Sequence, residues 1–309
     1  MRDLKGYFMI MGAATLWGLS ATMAKALLNQ QLATILIVQT RVTFSCLLML
    51  GFYLVFQRRV LRVSLRDLWR FALLGIVGVA GANFTYYFTI KESTVATGIL
   101  IQYTAPLLVM GYAAVAGEEE FTLLKLTAAL CSLLGCFLAV GGYDLTVLKI
   151  TPIGLISGIG SVFSFAFLNV FTRRLLALYN MWTVTFYSIA FASLFWLVLN
   201  PPWKIAAQSP SGGMWGALVL LAIVSVLIPH SLFFSGLRFV VPSRAIITST
   251  LEPIVAVATA AMVLGEYLRA IQIAGAVLVI LAIVLLQLRR EASPIELRRA
   301  AASEQANAS

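Results

Sequence analysis

Ten apolar runs of about twenty residues follow one another along the chain: 7–28, 33–56, 70–90, 95–116, 123–142, 152–174, 180–199, 213–235, 243–264 and 268–288. Each is near the length that crosses about 30 Å of hydrocarbon at 1.5 Å per residue. Of the 309 residues 61% are hydrophobic and 11% are charged, against about 25% charged in a soluble domain. No water-soluble core could hide so much apolar surface. In lipid the backbone must pair internally, which leaves helices or a closed barrel. The runs are long and do not alternate, so the sequence predicts an all-α membrane protein with ten transmembrane helices. The first run is longer than the apolar stretch of a secretory leader and reads as an uncleaved span.

The net charge of +10 would suggest nucleic acid as a partner on a soluble protein. Here its placement argues for topology instead, and no nucleic-acid partner is expected. With the N-terminus in the cytoplasm, sixteen of the 22 Lys and Arg residues fall on the cytoplasmic side, among them Arg58, Arg59, Arg62, Arg66 and Arg70. Lys25, Lys91, Lys149, Lys204 and Arg269 fall outside, and Arg41 lies within a span. This bias predicts a multi-pass inner-membrane protein with both termini cytoplasmic. Cys46, Cys131 and Cys136 all lie inside apolar runs and read as packing or lipid-facing residues, not a disulfide set or a metal site.

The two halves align at an offset of 147–148 residues. Trp17-Gly18 falls opposite Phe165-Ala166, and Lys25 opposite Arg173. Asn83, Tyr86 and Tyr87 fall opposite His230, Phe233 and Phe234, Pro106 opposite Pro253, and Gly117-Glu118-Glu119 opposite Gly265-Glu266. The predicted units are a first five-helix repeat over 1–148, a second over 149–290, and a polar, Ala-rich tail over 291–309, expected to be a mobile cytoplasmic segment. Five is odd, so consecutive copies enter the membrane from opposite sides. Such inverted repeats are a common frame for alternating access.

Leu16-Trp17-Gly18 with Lys25, Thr40-Arg41-Val42-Thr43-Phe44, Ala96 to Pro106, Ser243 to Pro253 and then Leu264-Gly265-Glu266 resemble, in order and spacing, the EamA-type family of the drug/metabolite transporter superfamily. The resemblance covers roughly 7–288. It implies a ten-helix, 5+5 inverted-repeat carrier that moves amino acids, other metabolites or drugs, most often outward and commonly with proton coupling. The acidic triplet Glu118-Glu119-Glu120 departs from the family pattern, where one Glu is usual.

Polar groups in a span are costly unless they face protein or water, so they mark candidate sites. Arg41 lies about eight residues, roughly 12 Å, inside the second span. It either bonds backbone carbonyls, snorkels outward, or binds a substrate carboxylate through its paired donors. Glu252, before Pro253, faces Ala105 in the alignment. That asymmetry suits substrate binding or proton coupling; the alternative is neutralisation of Arg244. His230, the sole histidine, suits proton coupling as well as plain packing. Asn83, Tyr86 and Tyr87 share a helix face and would form a polar-aromatic wall. Gln102 and Tyr103, with their mates Ser249 and Thr250, precede the two mid-membrane prolines, where a broken helix would expose carbonyls. Trp17 and Asn169 complete the substrate-binding candidates. Lys25 and Arg173 read as interfacial snorkelling residues, and Gly75, Gly78 and Gly81 as a close helix contact.

No phosphate-binding GxxxxGK[ST], HExxH, CxxC or GxSxG motif occurs, so neither a built-in ATPase nor an enzyme is expected, and no cofactor or metal. The expected function is a secondary active exporter of a small metabolite, such as an amino acid or related amphipathic solute, working as a monomer or homodimer in contact with membrane lipid. Competing readings are a lipid translocase, a non-transporting partner subunit, and a membrane-embedded enzyme.

Overall fold

The computed structural model describes residues 2–30, 32–144, 148, 150–206, 211–264 and 268–288. The tail 291–309, Arg289, Arg290, Lys149 and the Gly265-Glu266 pair lie outside the described residues, as does the side chain of Lys25. Ten long helices follow in order among the described residues, with short helical turns at Arg58–Leu61 and Pro202–Ala206 between them. They are α1 (Arg2–Asn29), α2 (Thr34–Phe56), α3 (Leu65–Glu92), α4 (Val95–Gln102 and Ala105–Val115), α5 (Leu123–Ala139), α6 (Pro152–Leu176), α7 (Met181–Leu199), α8 (Gly212–Gly236), α9 (Pro242–Thr248 and Leu251–Leu264) and α10 (Ala270–Leu288). No strand occurs among the described residues.

Nine of the ten are long and apolar enough to cross a membrane; α5, with 17 residues, is shorter. The sequence pattern placed its end at 142. The helix stops at Ala139 because Gly141 turns to φ 80°, and the Gly142 N–H donates to the Phe137 carbonyl at 2.8 Å. That is the glycine-dependent reversal that satisfies the last carbonyls of a helix. Gly117, at φ 66°, ends α4 in the same way, with Glu118 N–H on the Ala113 carbonyl at 2.9 Å. Starts are capped by Thr94, Thr122, Thr151, Asn180 and Ser211, each accepting a first-turn N–H.

The halves are inverted. Arg244 at the start of α9 donates to the Leu286 carbonyl near the end of α10 (2.8 Å) and meets the hydroxyl of Tyr7 near the start of α1 (3.4 Å). The start of α1 therefore shares a face, here termed the N-terminal face, with the start of α9 and the end of α10. The end of α6 lies there too, because Arg174 pairs with Glu118 just past α4, and Glu119 accepts from Ser243 at the start of α9. At the far face Thr151 donates to the Glu92 carbonyl (3.0 Å), and Gln272 to that of Ala139 (3.1 Å). So α1 starts where its counterpart α6 ends.

Packing repeats the symmetry: α1 packs on α8 and α9, α6 packs on α3 and α4, α5 pairs with α10, and α2 with α7. Small residues set the closest crossings. A Cβ on Gly75 would lie 2.5 Å from the Ser188 carbonyl, and one on Gly78 would lie 3.3 Å from a Leu168 methyl. These glycines make the close contact expected of them. The outward surface is apolar, with Phe52, Phe56, Val115, Ile156 and Val198 among its exposed residues. The three cysteines are free.

Two irregularities recur in both halves. Both α4 and α9 break mid-span, at Tyr103-Thr104 and at Ser249-Thr250, just ahead of Pro106 and Pro253. Both α3 and α8 widen into π-type turns, over Leu74–Gly81 and Ile223–Leu227. Breaks and widened turns release backbone groups from the helical ladder, and in a membrane that is tolerated only where protein or an aqueous cavity takes them up.

Candidate functional site

The two breaks meet. The Tyr103 hydroxyl lies 2.8 Å from Glu252 Oε2 and 3.1 Å from the Ser249 carbonyl, so its single proton serves one acceptor at a time. Glu252 stands in the first turn of the half-helix Leu251–Leu264, where the helix dipole favours a carboxylate. It keeps part of its surface accessible, whereas Tyr103 and Ser249 are buried. α1 crosses directly behind. A Cβ on Gly18 would come within 2.6 Å of the Glu252 carbonyl oxygen, so the absence of a side chain at Gly18 lets α1 carry its neighbour Trp17 up to α9.

The widened turn of α8 supplies the opposite wall. Its Ser225 carbonyl accepts from Trp17 Nε1 at 3.0 Å, and its Val226 carbonyl lies 3.1 Å from His230 Nδ1. Carbonyls that a regular helix would use internally thus orient an indole and an imidazole. The Trp17 ring meets His230 edge-on (5.6 Å) and Phe233 tilted (5.3 Å). In the other half Asn83 Nδ2 donates to the Val79 carbonyl at 2.7 Å, the counterpart of the His230 bond.

Arg41 comes from α2, 6% exposed. One terminal nitrogen donates to the Tyr87 hydroxyl, and its guanidinium lies 5.4 Å from the Tyr87 ring centre. Its Nε has no hydrogen-bond partner. The ring of Tyr87 packs against that of Tyr86 at 5.5 Å. Arg41 and Glu252 act electrostatically on each other and on Tyr86, and Arg41 acts on His230. No ion pair forms between Arg41 and Glu252 among the described residues; each is hydrogen-bonded to a tyrosine hydroxyl instead.

The structure thus gathers Trp17, Arg41, Tyr86, Tyr87, Tyr103, His230, Ser249 and Glu252. Asn83 braces the wall through its own helix. Gln102 stands at the break, half-buried, without a hydrogen bond to the described residues. Asn169 does not join the cluster: it is fully buried on α6, donating to the Phe165 carbonyl at 2.8 Å. Glu252 does not neutralise Arg244, which is held by the Leu286 carbonyl and Tyr7. Arg173 does not snorkel; it donates to the Leu237 and Val240 carbonyls beyond α8 (3.0 Å to the latter). Ser225 and Phe165, which meets Tyr103 at 6.5 Å, were not singled out as site residues. Ser225 contributes a backbone carbonyl, which no side-chain pattern signals.

Among the described residues no group of His, Cys, Asp and Glu could hold a metal ion.

Two inverted five-helix halves with paired broken helices and a carboxylate at one break are the architecture of a ten-helix membrane protein of the transporter class. The chain belongs to the EamA-like transporter family, which it matches over residues 4–141 and 152–288. It is 27% identical to an uncharacterized inner membrane transporter, YicL, of Salmonella typhimurium, over 92% of this chain and 95% of that protein. It is 29% identical to an uncharacterized transporter of Archaeoglobus fulgidus, over 72% of this chain and 78% of that protein. A solved crystal structure shares the fold, with a TM-score of 0.72 at 21% identity, over 93% of this chain and 96% of the other.

Proposed function

We propose that this transporter is a secondary carrier of the inner membrane that exports small zwitterionic or amphipathic metabolites, amino acids among them, by alternating access. The observation that carries the reading is the separated pair Arg41 and Glu252. A guanidinium and a carboxylate, each hydrogen-bonded to a tyrosine hydroxyl and not to the other, complement a solute bearing a carboxylate and an ammonium. The aromatic rings of Trp17, Tyr86 and Tyr103 suit its apolar part. Inverted halves with facing breaks favour exchange between two related conformations about that site. The bias of basic residues favours a cytoplasmic N-terminal face. The likeness to an inner membrane transporter supports the compartment. Glu252 and His230 are the groups able to take up a proton within the site, and proton coupling would run through one of them.

Purified protein in liposomes, tested for counterflow against a panel of amino acids and amines with melting measured in parallel, tests the reading. Accelerated exchange of at least one zwitterion, lost in Arg41→Gln and Glu252→Gln, is expected. If no solute on the panel moves and none raises the melting temperature, the carrier reading fails.

A further inference from the structure

Asn169 and Thr172 on α6 are both 0% exposed, and neither Asn169 Oδ1 nor Thr172 Oγ1 has a hydrogen-bond partner. This is unusual within this bundle. Thr40, Thr89, Thr185, Thr248 and Thr259 each donate to the carbonyl four residues back at 2.7–2.8 Å. Thr172 does not. A buried polar atom left unpaired is destabilising, so one that persists calls for a reason.

Their position supplies one. Asn169 and Thr172 stand four and seven residues after Phe165, on the helix face that turns the Phe165 ring to Tyr103 at the α4 break. The stripe leads about 10 Å from the site towards the N-terminal face. There α6 packs against Ala105–Val115 of α4 and Pro242–Thr248 of α9, and every residue of the latter half-helix is buried.

Polar clasps close this end. Glu118 pairs with Arg174 at 2.5 Å, and Glu119 accepts from Lys125 Nζ (3.0 Å) and from the Ser243 N–H (3.2 Å). Arg244 ties α9 to α10. The repeat mates of Lys125 and Arg244 at the far face are Gln272 and Thr97, both uncharged, whereas Glu118-Glu119 aligns with Gly265-Glu266, outside the described residues. These two basic groups thus have no basic counterpart at the other end.

We infer that Asn169 and Thr172 form a second polar station on the pathway, between the Arg41–Glu252 site and the cytoplasm. The clasps keep it dry in this conformation; when they open, it is wetted and takes up the ammonium or other N–H donor of the passing solute. The unpaired amide oxygen of Asn169 and the lone pairs of the Thr172 hydroxyl accept such a donor; a carboxylate would find there the second amide N–H and the hydroxyl but no positive charge. The inference rests on the carrier reading for its direction, but the test below needs no knowledge of the transported solute.

In a chain carrying Cys46→Ala, Cys131→Ala and Cys136→Ala, Thr172→Cys is challenged with a membrane-impermeant cationic methanethiosulfonate in inside-out and right-side-out vesicles. Modification from the cytoplasmic side only is expected, at least fivefold faster when Glu119→Gln is added. Glu118→Gln, on the exposed pair, serves where Glu119→Gln fails to fold. Butylammonium should slow the modification and butyrate should not. Asn169→Leu should slow it severalfold while the melting temperature holds or rises. Modification from the outer side at an equal rate, or none from the cytoplasmic side even with a clasp variant, overturns the station. So does an unchanged rate in Asn169→Leu, and protection by butyrate as good as that by butylammonium overturns its preference. A protein that transports none of the tested zwitterions but gives the expected labelling pattern refutes the substrate reading alone.

Discussion

Gly18→Ala is a sharp test of how the site is assembled. The added Cβ would sit 2.6 Å from the Glu252 carbonyl oxygen, 2.7 Å from Val255 Cβ and 3.0 Å from the Ala256 nitrogen. Two of the three are backbone atoms, so no rotamer change relieves the clash. Reaching ordinary contact at 3.4 Å requires α1 and α9 to part by about 0.8 Å. Overpacking of this kind costs about 1–3 kcal/mol, somewhat offset by the better helix propensity of alanine, by up to about 1 kcal/mol. At 2–4 °C per kcal/mol for a domain of a few hundred residues, a fall of about 5 °C in melting temperature follows. The controls come from the same bundle. Gly12→Ala would meet only a Leu232 methyl at 3.5 Å, and Gly111→Ala nothing within 4 Å; both should hold or gain stability. Melting of detergent-purified variants decides it. Gly18→Ala melting within a degree of Gly12→Ala would refute the claim that a bare backbone at Gly18 sets the distance from Trp17 to Glu252.

Lys125→Met removes one partner of an ion pair whose side chains are 0% and 5% exposed. Leaving Glu119 as an uncompensated buried charge should cost about 3–5 kcal/mol, most of it recovered when Glu119→Gln is added; melting of the single and double variants reads this. Gln39 and Asn200 form a buried couple, with Gln39 Nε2 on the Asn200 carbonyl and Asn200 Nδ2 on Gln39 Oε1, both at 2.7 Å. Either change to Leu should cost about 1–3 kcal/mol, and the double change less than the sum, because one change already orphans the partner; an additive cycle would contradict the coupling. Tyr179, between α6 and α7, donates to Asp67 at 2.5 Å, and that bond holds its phenol above the ordinary value of 10.0. A raised folded value means stabilisation that is complete below pH about 10 and is lost as the phenol ionises. The stability gap between the native chain and Tyr179→Phe should therefore be constant at neutral pH and close at strongly alkaline pH, as read by denaturant titration at several pH values.

Most of the frame was legible because lipid leaves few choices. Apolar length set the helices, the odd number per half set the inversion, and Pro106 and Pro253 marked the breaks. The end of α5 was misplaced because Gly141 and Gly142 look apolar to a hydropathy reading, while their effect is conformational. Charge inside a span pointed to Arg41 and Glu252, the break in repeat symmetry to Glu252 again, and the sole histidine to His230. What stayed hidden was backbone chemistry. The widened turns over Leu74–Gly81 and Ile223–Leu227 have no side-chain signature, yet they supply the carbonyls that hold Trp17 and orient His230 and Asn83. Asn169 was read as a site residue for its polarity. Its burial on α6, with one amide hydrogen on the Phe165 carbonyl, is a tertiary fact that periodicity does not carry.

Duplication and asymmetry answer different needs here. A frame of two inverted copies can exchange two nearly equivalent arrangements, because its main features recur at both ends: paired breaks, paired widened turns, and α5–α10 and α2–α7 as self-matching pairs. A strictly symmetric protein would have no preference between its two faces. Nearly all the chemistry stands at positions whose mates differ. Arg41 faces Ser188, Glu252 faces Ala105 and Lys125 faces Gln272 in the alignment of the halves. The Gln39–Asn200 couple at the far face answers the ring pair Tyr53–Phe186 at 5.8 Å. The far end of the α2–α7 pair is therefore fastened by neutral amides and the N-terminal end by aromatic packing, while the ion pairs among the described residues gather at the N-terminal face. In the proposed carrier, side chains at unmatched positions would set which face opens more readily, and changes there should shift the balance between two conformations without altering the frame.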